Sequence, residues 1–280
     1  SVSGANILGG PVSLNTASGT NDRSRAATFT AASGASLEIS GVVTAILGNG
    51  TGRDAWIGLG GEGTGTLSTA MSLTGSTLGT NRFFSINKFG SGTWNITAAD
   101  AHPGTRVIIK EGTLSLNGAG TLGTPTAGQE TPPIIYLNPT GTLLLDNTGL
   151  PINDVDNRLS GRALNVSGAD LTILGNAAGT SETVGVFTLR EGLSVFTLDA
   201  DAAGSLDFAT GAITRSAGAT LLIRGDNFGT ASGSGVATFT GSSYAYVGQV
   251  GAAGTPTKGI LPWALGDTSV SGTGLGFVTS

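Results

Sequence analysis

The chain has 280 residues, 48 of them glycine, no cysteine and a formal net charge of −5. Without cysteine there is no disulfide, thiolate zinc site, iron–sulfur cluster or cysteine nucleophile. The acidic balance, with thirteen lysines and arginines spread singly, argues against a nucleic-acid partner or anionic lipid, and no apolar run is long enough to span a membrane.

From the first residue the pattern is short strands separated by Gly, Asn and Ser. Residues 5–8, 12–14, 27–29, 36–39 and 42–47 carry strand-like runs; few windows offer a convincing helix, and AATFTAASGASLEIS reads helically for only a few residues, weakened by Thr28, Thr30 and Gly34. Asn21–Arg25 reads as a charged turn or a small excursion. Trp56, Ile57 and Leu59 form the next strand. The glycines of GLGGEG approach a dinucleotide fingerprint, but the segment after them reads as strands and turns, so the helix that such a site requires is missing.

Residues 88–123, KFGSGTWNITAADAHPGTRVIIKEGTLSLNGAGTLG, hold alternating strands with Trp94, Ile96, Val107, Ile109, Leu114 and Leu116 as the candidate inner face. Trp94 is expected in the core and His102, the one histidine, in an exposed turn. A small unit recurs: EGTGTLS at 62–68, EGTLSL at 111–116, AGTLG at 119–123 and TGTLLL at 140–145.

TPTAGQETPP at 124–133 is a proline-bearing loop, after which residues 134–137 and 142–145 resume the strands. Residues 150–162, LPINDVDNRLSGR, bring together Asp154, Asp156, Arg158 and Arg162. An Asp-x-Asp spacing puts both carboxylates on one side of an extended segment, so Asp154 and Asp156 are candidate calcium ligands, weighed against a polar turn between coils. Further strands are expected at 164–166, 171–174, 184–190, 193–198, 205–208, 219–223, 236–240 and 244–247. GQVGAAGTPTKG then reads as a link, followed by apolar runs at 260–265 and 276–279.

The order of Lys88, Gly90, Gly92, Thr93, Trp94 and Ile96, then Gly112, Thr113, Leu114 and Leu116, resembles the autotransporter-associated β-strand repeat (passenger-associated repeat) of bacterial surface proteins. The clear match covers about one eighth of the chain. Residues 187–280, notably 213–227 and 259–267, are similar to material that follows such repeats in long bacterial surface proteins. The resemblance implies an all-β fold, a right-handed parallel β-helix (β-solenoid) with irregular glycine-rich turns. It also implies an extracellular or cell-surface structural role, and supplies no catalytic residues.

A strand-and-turn unit of this size cannot bury its own apolar face, so the units must stack. With coils of about twenty residues the chain would make on the order of twelve to fourteen, a rod of roughly 60 Å. We assign residues 1–250 to the solenoid and 251–280 to a linker plus a C-terminal docking or strand-donating segment. Starting at Ser1, the chain reads as a mature form or a segment of a longer protein. No cap is apparent at either end, and uncapped edges pair with other chains. The expected function is therefore a non-enzymatic extracellular filament subunit or stalk of a cell-surface adhesin that stacks head to tail with itself, with other cell-surface or matrix components as further candidate partners. The self-assembly residues would be Ile260, Leu261, Trp263, Leu265, Phe277 and Val278. No cofactor is expected. The alternative is a carbohydrate-binding or carbohydrate-cleaving β-helix.

Overall fold

The computed structural model describes residues 4–15, 25–46, 55–74, 83–126, 132–149, 154–243 and 259–279. These residues contain strands and turns and no helix. In chain order the strands are β1 (Gly4–Leu8), β2 (Val12–Asn15), β3 (Arg25–Ala31), β4 (Ala35–Ile39), β5 (Val43–Ile46), β6 (Ala55–Gly61), β7 (Thr64–Leu67) and β8 (Ser72–Thr74). There follow β9 (Phe84–Lys88), β10 (Thr93–Ile96), β11 (Arg106–Ile109), β12 (Gly112–Leu116), β13 (Ile134–Leu137), β14 (Gly141–Asp146), β15 (Ala163–Ser167) and β16 (Asp170–Leu174). The last are β17 (Thr180–Val184), β18 (Phe187–Glu191), β19 (Leu193–Asp199), β20 (Leu206–Arg215), β21 (Thr220–Gly225), β22 (Ala237–Ser243), β23 (Ile260–Asp267) and β24 (Gly276–Thr279).

The strands stack as a β-solenoid. The first sheet runs β1-β4-β7-β10-β12-β14-β16-β19-β21-β23-β24, parallel throughout except for the antiparallel last pair. The second runs from β3 through β6, β9, β11, β13, β15 and β18 to β20, and β2-β5-β8 form a short third sheet. The ten-residue β20 turns a corner. Its later half pairs with β18, and its earlier half pairs with β17 on one side and β22 on the other.

The coils are longer and fewer than about twenty residues each would give. Thr64, Thr93, Thr113 and Thr142 share one register position, 29, 20 and 29 residues apart. Ten parallel strands lie in the first sheet, which corrects the twelve to fourteen coils expected; nine strand spacings give about 43 Å. The extra length goes into corners.

Alternation decides what goes inside. In β10, Trp94 and Ile96 are fully buried while Thr93 and Asn95 are half-buried on the outer side. The same positions on neighbouring rungs carry Leu114, Leu116, Leu143, Leu145, Leu171 and Ile173, so one continuous apolar core runs along the stack. Trp94 also donates its indole N–H to the Gly60 carbonyl at 3.0 Å. The expected strand over 184–190 is instead split between β17 and β18 at Gly185. Of the charged turn expected at Asn21–Arg25, Arg25 opens β3. Its other residues, 21–24, and the expected strand at 244–247 lie outside the described residues.

Candidate functional site

The terminal segment docks on the chain's own stack. β23 lies parallel to β21, pairing Leu221 with Ala264 and Arg224 with Asp267. β24 folds back antiparallel on β23 and places Phe277 opposite Leu265. Leu261 points into the core and is buried, whereas Ile260 and Trp263 are half-buried, with the Arg215 guanidinium 5.9 Å from the Trp263 ring. Val278 is half-buried against the core. Leu265, Leu275 and Phe277 are exposed, at 38%, 76% and 53%.

Behind this hairpin the core opens. Phe187, Phe196, Phe208 and Phe239 stack in sequence with ring centroids 5.2, 6.0 and 5.7 Å apart. The stack ends at a cleft of about 510 Å³ lined by Phe228, Phe239, Leu261, Leu275, Phe277 and Val278. No described strand pairs with the outer edge of β22. At the other end β1, β2 and β3 each stand first in their sheets, with Ile7 70% exposed.

A second cluster lies in the middle of the stack, and it is polar and internal. Arg158 is buried; it donates to Asn147 Oδ1 at 2.8 Å and to the carbonyls of Gly120, Gly118 and Asp146. Arg162 is equally buried and donates to the carbonyls of Gly104, His102 and Gly123 at 2.8, 3.1 and 3.1 Å. Each guanidinium gathers corner carbonyls from earlier coils, which its planar fork suits. Burial lowers the Arg162 pKa to about 10 and also lowers that of Arg158.

His102 is fully buried, not exposed in a turn as expected. Its ring lies 5.3 Å from Phe84, and Nε2 is 2.9 Å from the Arg106 carbonyl. Burial, then the nearby Arg162 charge, lowers its pKa to about 3. Glu182 is buried with its Oε1 accepting the Leu159 N–H at 3.2 Å. Burial pushes its pKa up to about 8, against the backbone donors and the Arg158 charge that favour the anion.

Asp154 and Asp156 are engaged in holding the edge of β17. Asp154 Oδ1 accepts from the Thr180 hydroxyl at 3.1 Å, Asp156 Oδ1 from the Ser181 N–H at 2.6 Å, and Asn157 Oδ1 from the Thr183 N–H at 3.0 Å. The turn thus stands where a preceding strand would pair. Burial raises the Asp154 pKa. Among the described residues no three His, Cys, Asp or Glu side chains gather as a metal site.

Lys88, the first residue of the repeat, is also internal. Its ammonium donates to the carbonyls of Phe89, Gly90 and Glu111 at 3.1, 2.6 and 2.9 Å, closing two corners, and burial lowers its pKa to about 8. These buried polar contacts hold corners together. Among the described residues they place no nucleophile beside a base and no convergent acid pair at a cleft.

What the fold defines is a class, the all-β parallel solenoid. No family model, curated protein or solved structure matches the chain.

Proposed function

We propose that this chain is a structural solenoid, a filament subunit or stalk segment of a bacterial cell-surface adhesin, joined to further copies through its ends. The observation that carries this reading is that the two ends of the stack are unlike, and each carries edge strands with no further strand beside them among the described residues. One presents the first strands of three sheets and an exposed Ile7. The other presents the outer edges of β22 and β24, the exposed Leu275 and Phe277, and the apolar cleft. Unlike surfaces at opposite ends favour heterologous stacking, which propagates when the rotation does not close, and open strand edges supply main-chain donors and acceptors for the joint. The middle of the stack is invested in corner-holding contacts, which suits a load-bearing element.

Sedimentation velocity across a concentration series tests this. Self-association that Leu275→Glu with Phe277→Glu abolishes supports the reading; a monomer at every concentration contradicts it. Removing residues 260–280 is a poorer test, because Leu261 and Ala264 are buried and their loss would strip core as well as joint.

A further inference from the structure

The outward face of the second sheet carries aromatic rings and cations between β6 and β13. On β6 the outward residues are Trp56, Gly58 and Gly60, because Ala55, Ile57 and Leu59 fill the core. The next rungs present Ser85 and Asn87 on β9, Arg106 and Ile108 on β11, and Ile134 and Tyr136 on β13. Phe89, one residue beyond β9, lies over the β6 glycines. A Cβ at Gly60 would come within 2.2 Å of its ring, and one at Gly58 would meet both Phe89 and Trp56 near 3 Å. The two glycines therefore make room for a pair of outer rings. Trp56, Phe89 and Tyr136 are all half-buried, each with part of its surface open to solvent.

At the described outward positions of β6, β9, β11 and β13 the charge is of one sign. Arg106 stacks over the Phe83 ring with its guanidinium carbon 3.7 Å from the centroid, which fixes the cation in place. Lys110 follows β11 at outward parity and is exposed. No Asp or Glu occupies an outward position of β6, β9, β11 or β13. In a chain of net charge −5 this is a local reversal. The shielded Oδ1 of Asn87, which pairs with Gly58 across the rungs, accepts no hydrogen bond from a described residue. Rings, a fixed guanidinium and an exposed ammonium on a periodic sheet suit an extended ligand with ring faces and carboxylates.

We propose that this face binds an acidic polysaccharide, with sugar rings resting on Trp56, Phe89 and Tyr136 and carboxylates paired with Arg106 and Lys110. From β6 to β13 are three strand spacings, about 14 Å, so the site takes a short run of sugar units along the solenoid axis. Arg offers a planar fork to a carboxylate and Lys a point charge, so the two cations tolerate varied positions along a polymer. The site is independent of the ends and holds whether or not copies join.

Affinity electrophoresis of the full chain in gels containing polygalacturonate, hyaluronate or neutral dextran tests this. Retardation is expected with at least one of the acidic polymers, weakening with salt, and none with dextran. Lys110→Gln alone should weaken binding several-fold. Lys110→Gln with Tyr136→Ala should weaken it at least tenfold while both proteins keep the parent melting temperature. No retardation by either acidic polymer, equal retardation by dextran, or unchanged binding by the folded Lys110→Gln variant would overturn the assignment. So would loss of self-association in the double variant, which would make the face a joint between copies.

Discussion

Trp94 sits directly beside Gly65 on the next rung of the first sheet, and its ring occupies the space that a side chain at residue 65 would need. A Cβ there would lie 2.1 Å from the indole. The ring is fully buried and tied to the Gly60 carbonyl, so it cannot swing away cheaply.

Gly65→Ala should therefore destabilise the fold by about 1–3 kcal/mol, the usual cost of overpacking. Trp94→Phe should relieve the crowding but lose the buried indole hydrogen bond to the Gly60 carbonyl, costing about 1 kcal/mol. The combination Gly65→Ala with Trp94→Phe should cost less than the two changes added together, because they share one contact. Urea melts of the four proteins check this; strict additivity would contradict the close approach.

Arg162 serves three corner carbonyls at once. Arg162→Met fills similar space with nothing to donate, and should cost about 3 kcal/mol or more by stranding those acceptors. Arg162→Lys should recover only part of the loss, since one ammonium cannot reproduce the fork. Thermal melts that place Met and Lys together near the parent would contradict the anchoring role.

Much of this architecture was readable in the sequence, and the failures share one cause. The alternation in TWNI, RVII and GTLSL gives strands whose inward residues are those expected, because period two is a local signal. The buried lysine, histidine and arginines were not readable. Arg162 reaches carbonyls 39 to 60 residues away, so its role depends on which coil stacks on which. His102 in AHPG looks like an exposed turn, and only the packing of Phe84 and Arg162 makes it internal. Asp154 and Asp156 show a ligand-like spacing, but the strand edge they cap begins at Thr180. Irregular coil lengths hid the register, since loops set them.

Glu182 should tie stability to pH on the alkaline side. Its pKa in the fold is about 8, above the ordinary 4.5. The folded chain thus holds a proton that the unfolded chain releases, and that stabilisation is complete below pH 4.5 and lost as pH rises to about 8. Glu182→Gln keeps an oxygen for the Leu159 N–H but cannot ionise. Melting temperature measured from pH 6.5 to 8.5 should fall in the parent and lose that decline in the variant. Equal slopes would contradict a protonated Glu182.

His102 acts in the opposite direction. Its pKa in the fold is about 3, below the ordinary 6.5, so its contribution is complete above pH 6.5 and lost as pH falls toward 3. Between pH 4.5 and 6.5 the two groups offset each other, and Glu182→Gln should uncover the histidine slope there. If that variant's melting temperature stays flat from pH 6.5 to 4.5, His102 is not held neutral.

A structural solenoid joined through its ends should be visible by negative-stain electron microscopy of the purified chain at neutral pH across concentration. The expected result is linear assemblies one solenoid wide that lengthen with concentration and are lost in Leu275→Glu with Phe277→Glu. Isolated short rods at every concentration, or assemblies that persist unchanged in that variant, would contradict it.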